Sequence, residues 1–468
     1  MSTSSAASLR AELATGYRVD DRNDLHVIDE AWCRREAAPR LARAAALAAE
    51  PEVRAAAHAD ARALAAALGA WPASIAPLYA AMGRGEVDGL TVPAVNVRGL
   101  SYETAAALFE AALATDAGAF IFEIARTEIG YTDQPPAEFV AVILCAAVAA
   151  GYRGPVFVQG DHVQVRPSAY AEDPERELAA VEALIAEEIA AGFYNIDVDT
   201  STLVDLSQPT LDAQQRLNYA LAARLTARIR ALEPEGVSVS VGGEIGEVGT
   251  ANSTVDEFEA YMAGYARELE RLAPGAVGIS KISVQTGTSH GGVPLADGSV
   301  ANVQLDFGVL ESIGGRARGT YGLSGAVQHG ASTLPAELFH RFPASCCSEI
   351  HLATGFQNLV FGHPDFPAEL LAAIDRHLHD ARGAERKPGD SDQQFVYKLR
   401  KKAWGPFKRQ LWDLPADLRA TLRAALREQF VFLMRQLGAA GSGALVRSCV
   451  HAPRSSRQPA PAGRESRG

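Results

Sequence analysis

The chain has 468 residues, 48% of them hydrophobic and 21% charged, with a formal net charge of −12 and a pI near 5.5. This length and composition fit a soluble globular protein with a large core, as two domains or as one α/β barrel with extensions. The acidity argues against nucleic-acid or membrane partners, because both demand a basic footprint. No apolar run approaches the ~20 residues of a membrane span, and the amino end, Met1-Ser-Thr-Ser-Ser, lacks the basic-then-apolar profile of a signal peptide. Five cysteines, an odd number with no C-x-x-C, read as a reduced cytoplasmic protein without a disulfide framework or a cysteine zinc site.

Residues 1–86 read as an amino-terminal helical extension, with Ala- and Arg-rich helical stretches at 35–49 and 52–68. Over 87–380, short apolar runs alternate with amphipathic stretches. The runs fall at 90–97, 119–124, 155–160, 193–198, 237–242, 277–285, 326–328 and 350–353, bounded by Gly, Pro or polar residues as buried parallel strands are. The stretches between them, such as 102–113, 136–150, 174–191, 211–232, 254–272 and 305–316, are long enough for crossover helices. Eight strands with helices between them predict a (β/α)8 TIM barrel. Residues 381–437 read as a basic helical extension, and 438–468, rich in Gly, Ser, Pro and Arg, as a disordered tail.

Residues capable of chemistry recur where the runs end. Asn96 closes the first and Glu123 the second; Asp161 and His162 follow the third, and Asp197 closes the fourth. Glu244 follows the fifth, His290 the sixth, His329 the seventh and Thr354 the eighth. A barrel gathers such residues at one mouth. Three imidazoles with an open fourth position form a catalytic zinc site, so His162, His290 and His329 are the candidate ligands. Asp161 reads either as a carboxylate that orients a ligand or as a general acid/base. Gly242-Gly-Glu-Ile-Gly246-Glu-Val-Gly249 is not a dinucleotide fingerprint, and no P-loop motif occurs.

Seven segments in order, Pro93-Ala-Val-Asn96, Gly160-Asp-His162, Asn195-Ile-Asp197, Gly243-Glu-Ile-Gly246, Thr288-Ser-His-Gly291, His329-Gly-Ala-Ser332 and Ile350-His-Leu-Ala-Thr354, resemble the class II, zinc-dependent fructose-bisphosphate/tagatose-bisphosphate aldolase family over about 90–362. The resemblance implies reversible cleavage of a ketose phosphate, by default fructose 1,6-bisphosphate, with zinc or another divalent cation stabilising the enediolate and room for a monovalent cation. It implies a homo-oligomer with a small sugar phosphate as its partner. His162, His290 and His329 would hold the metal, and Glu244 and Asp197 would serve an alternative buried metal site. Asp161 would exchange a proton with the aldehyde-derived hydroxyl. Gly291, Gly330 and Ser332 would bind phosphate, and Asn96 would contact substrate.

The departures lie in the substrate pocket. Ala125 stands where the family has a serine, and His351 where it has an asparagine reaching the substrate. The acidic loop that supplies the proton-abstracting base reads Glu247-Val-Gly-Thr here, leaving Glu247 as the nearest substitute. The basic run 397–409 offers Arg400 or a neighbour for a second phosphate. Two rivals remain: a Schiff-base aldolase using Lys281, the sole lysine before residue 387, and a non-catalytic barrel subunit of a partner enzyme.

Overall fold

The computed structural model describes residues 5–245, 251–287, 305–331 and 334–452. Eight parallel strands, β1 (Val92–Asn96), β2 (Ile121–Ala125), β3 (Gly154–Gln164), β4 (Asn195–Asp199), β5 (Ser240–Glu244), β6 (Lys281–Val284), β7 (Ala326–Gln328) and β8 (Cys347–Leu352), pair each with the next. β8 returns to β1, so the sheet closes into a TIM barrel. Helices Ser101–Thr115, Pro136–Ala150, Pro174–Ala191, Leu211–Leu232, Val255–Leu272 and Phe307–Tyr321 fill crossovers between strands, as their sequence pattern predicts. Pro136–Ala150 is apolar nearly all round because it is covered on both sides. Among the described residues no single helix is long and apolar enough to cross a membrane.

Strand residues alternate between the helix layer and the barrel interior. One interior row, set by the register, runs Asn96, Glu123, Gln159, Asn195, Ser240. Interior polarity of this kind explains why β8 begins three residues before the expected 350: Ser348 and Glu349 interrupt the apolar run yet are both buried, Glu349 on the interior face.

The first 86 residues are more than a helical layer. A hairpin pairs Tyr17–Val19 with Leu25–Val27, and the strand Ala70–Ala73 lies parallel to the first half of β3. The Asn195 side chain accepts from the Ile75 amide at 2.9 Å and donates to the Ala73 carbonyl at 3.2 Å. From the following helix, Ala76–Gly83, Tyr79 reaches into the barrel and donates to Glu349. This segment therefore plugs the amino end of the barrel.

The carboxyl segment wraps the other side. Arg419 and Arg423 of helix Ala416–Gln436 reach the buried Glu103 at 2.9 and 2.6 Å. Trp404 packs on Gly99, where a Cβ would come within 1.9 Å of the indole, so only glycine admits this docking. Of the tail expected to lack structure over 438–468, residues 438–452 are folded, and 453–468 lie outside the described residues. Ser442 accepts from the Gly118 and Ala119 amides, and helix Gly443–Cys449 buries Val446. Small residues hide this helix from a composition-based reading.

Beneath β3, helix Pro174–Ala191 buries Glu188 completely, and neither carboxylate oxygen has a hydrogen-bond partner among the described residues. Burial, with Glu187 adding to it, pushes Glu188 up to about 8. Its folded pKa then exceeds the unfolded value, so its cost is absent at low pH, grows as pH rises through about 4.3 and levels off near 8. Glu188→Gln mimics the protonated form at every pH. It should match wild type in urea unfolding near pH 4 and exceed it by roughly 3–5 kcal/mol at pH 8. Parallel pH profiles for the two proteins would mean that Glu188 finds a partner.

Candidate metal and substrate site

The carboxyl ends of the strands surround a cavity of about 520 Å³ lined by Asn96, Glu123, Asp161, His162, Asp199, His329, Gly330, His351 and Thr354, among others. Neighbouring residues on a strand ordinarily face opposite ways. Here the register between β3 and β4 shifts between Gly160 and Val163, and His162 takes a left-handed φ of 41°. This bulge turns Asp161 and His162 to the same cavity. His329 follows β7, with its ring centroid 4.3 Å from that of His162 and 4.0 Å from that of His351.

His162 Nδ1 lies 3.1 Å from Asp199 Oδ2 and 3.2 Å from Glu244 Oε2. Asp199 is itself fixed by Gln164 Nε2 at 2.7 Å and Ser201 Oγ at 2.8 Å. Two carboxylates at Nδ1 fix the ring by that nitrogen, the arrangement that directs Nε2 to a metal ion when one binds. Ligand atoms of Asp161, His162 and His329 lie within 4.8 Å of one another, as do those of His162, Asp199 and Glu244. Among the described residues the structure does not bring together Glu244 and Asp197, the alternative metal pair expected from the resemblance; Asp197 groups instead with Glu349 and His351. Asp199, two residues beyond Asp197 on the same strand face, stands with Glu244, while Asp197 sits one layer deeper against Lys281 at 2.9 Å.

The electrostatics fit a cation. Burial raises Glu244 to about 7, with Asp199 adding to it, and burial also raises Glu123, reinforced by Asp161 and Glu349. Burial would lower His162, but Asp161, Glu244 and Asp199 outweigh it and hold the imidazole well above its usual range. The mouth thus gathers carboxylates beside imidazoles, a donor set suited to a divalent metal.

On the substrate side, the cation expected at Arg400 or a neighbour is the neighbour. Arg400 turns away, its guanidinium over the rings of Tyr397 at 4.9 Å and Phe361 at 5.8 Å, with Asn358 as its acceptor. Its neighbour Lys401 lines the cavity together with Arg98. Arg98 bonds Glu128 at 2.7 Å, and Glu128 also accepts from Asn96 Nδ2 at 2.6 Å. Glu247, His290, Gly291 and Ser332 lie outside the described residues.

Lys281 does not suit Schiff-base chemistry. It is 1% exposed inside the barrel, with Nζ 2.8 Å from Gln159, 2.9 Å from Asp197 and 2.5 Å from Glu349. Burial alone would lower its pKa, but the two carboxylates outweigh this and keep it protonated, so the free amine a nucleophile requires is suppressed. Gly242 makes the space: a Cβ there would meet Asp197 Oδ1 at 2.3 Å and Lys281 Cε at 2.9 Å.

The fold is a TIM barrel whose mouth gathers groups that could hold a metal ion. Residues 80–388 match the class-II fructose-bisphosphate aldolase family, and the chain belongs to it. No curated protein sequence matches the chain. Among solved structures it is similar to a fructuronate-tagaturonate epimerase, UxaE, from Cohnella laeviribosi, at 11% identity, 75% coverage of this chain, 82% of that chain and a TM-score of 0.53. It is also similar to a probable tagatose 6 phosphate kinase from Sinorhizobium meliloti, at 18% identity, 76% and 93% coverage and a TM-score of 0.52. A fructose-bisphosphate aldolase from Campylobacter jejuni aligns at 17% identity, 80% and 96% coverage and a TM-score of 0.46. At these identities the structural likenesses speak for the barrel alone.

Proposed function

We propose that the protein is a metal-dependent aldolase that cleaves a ketose phosphate. The observation that carries this reading is the β3 bulge, which sets Asp161 beside His162 and His329 on one cavity wall. A divalent metal, zinc by default, held by His162, His329 and the expected His290 would supply Lewis-acid polarisation of the ketose carbonyl. Asp161 takes the proton of the C4 hydroxyl as the C3–C4 bond breaks, and the aldehyde leaves while the bonding pair stays with the ketone fragment. That fragment is then protonated at C3, and Glu247 is the proposed residue for this exchange. Arg98 and Lys401 at the rim favour an anionic substrate, and Gly330 supplies backbone for close approach of phosphate.

The deciding experiment is aldol cleavage of a panel of ketose mono- and bisphosphates by protein loaded with zinc, cobalt or manganese. One member of the panel should be cleaved, and Asp161→Asn should lower its turnover by ~10²–10⁴ with the fold intact. Absence of cleavage across the panel with every metal would overturn the reading, and wild-type turnover in Asp161→Asn would remove Asp161 from it.

A further inference from the structure

Two imidazoles at the mouth are built alike. His162 has carboxylates behind Nδ1; His351 has Glu349 Oε1 at 2.6 Å from Nε2, and Lys281 fixes that same carboxylate at 2.5 Å. A carboxylate behind one ring nitrogen is what orients the other toward a metal. For His351 the other nitrogen, Nδ1, lies 2.9 Å from Glu123 Oε2 and 3.2 Å from Asp161 Oδ1, and all three side chains are buried. Donors bound to one cation at about 2.1 Å stand roughly 3.0–3.4 Å from one another, so this spacing is that of a ligand set. Nδ1 faces two carboxylate oxygens, and a divalent cation among the three would offset their charge in place of the ring proton.

A separate observation falls on the same wall. Asn96 is in register beside Glu123, is 4% exposed, and its Oδ1 has no hydrogen-bond partner among the described residues, although its Nδ2 donates to Glu128. It is an uncommitted oxygen donor at the cavity surface.

We propose that Glu123, Asp161 and His351 hold a second divalent transition metal beside the one at His162 and His329, with Asp161 binding it through Oδ1 and keeping Oδ2 for the proton, and with Asn96 Oδ1 at the edge of the new site. This rests on the first metal site of the proposed function. Paired cations clamp two neighbouring oxygens of one substrate, so the site selects a ligand with vicinal carbonyl and hydroxyl oxygens.

Metal analysis of the purified protein, loaded with Mn²⁺ and freed of excess, tests this. Wild type should retain two ions per chain, and Glu123→Gln and His351→Asn one each, with unchanged circular dichroism. His351→Asn keeps a smaller polar side chain that can still hydrogen-bond Glu349, so it should fold. Wild type should also show the electron paramagnetic resonance signature of two spin-coupled Mn²⁺ ions, replaced by that of isolated Mn²⁺ in Glu123→Gln. One ion in wild type and in both variants overturns the second site and leaves the first standing. Two ions retained in both variants overturn the assignment to Glu123 and His351. No ion in wild type removes both sites together.

Discussion

His329→Ala should lose its tightly held metal and at least ~10³-fold in turnover, because Lewis-acid stabilisation of the developing charge contributes several kcal/mol. The side chain follows a three-residue strand, and its ring meets those of both His162 and His351. No other described residue could take its place from β7, since Val327 faces the barrel one layer down and Gln328 is engaged by Thr286 Oγ1 at 2.7 Å. Asp199 and Glu244 would still grip His162, so the variant should fold, and its thermal midpoint should resemble that of chelated wild type. Elemental analysis and single-turnover cleavage check the two halves separately. Full metal occupancy with full activity would place the metal elsewhere.

How much of this was legible in sequence follows from what each signal reports. Strand existence was readable because eight apolar runs stand between amphipathic stretches, and the mouth was readable because polar residues close those runs. Asp199 and Glu349 were not read, although a period-2 polar pattern marks both: Asn195, Asp197 and Asp199 on β4, and Glu349 with His351 on β8. Polar side chains at alternate positions normally face water, but here the inward face is the polar one, inverting the usual inference. Asp199, which pairs with His162, was passed over for that reason: Asp197 and Asp199 share a face and differ only in depth. The choice between Arg400 and its neighbour Lys401 stayed open for a different reason. Both lie on one short 3-10 turn, Arg400–Ala403, and only the docking of Trp404 on Gly99 decides which faces the cavity. Long-range packing of that kind leaves no local periodicity to read. Nor does the plug made by Ala70–Ala73 and Tyr79, whose strand is four residues long and pairs with β3 from outside the sequential order.

Lys281→Met should destabilise the protein by about 3–5 kcal/mol, the cost of stranding a buried charge by removing its partner. Glu349 is fully buried, and burial alone would raise its pKa; Lys281 and His351 outweigh that and hold the carboxyl well below its usual range. Asp197 shares the same ammonium, so the substitution leaves two carboxylates facing each other across the space that Gly242 opens. Tyr79 and Gln159 also donate to Glu349, but neither is charged. The methionine fills the volume of the lysine stem, so the loss is electrostatic and not that of a cavity. Neutralising the stranded acid should therefore repair it, and the double variant Lys281→Met/Glu349→Gln should recover most of the difference in urea unfolding at pH 7. If the single variant is as stable as wild type, the carboxylates around Lys281 are already protonated and the ion-pair reading fails. The same pair of proteins settles the Schiff-base rival: borohydride with substrate should trap no adduct on wild type, and cleavage, measured where each variant is fully folded, should survive in the double variant. Loss of cleavage in a folded, metal-replete double variant, together with a trapped adduct on Lys281, would restore the lysine as the nucleophile.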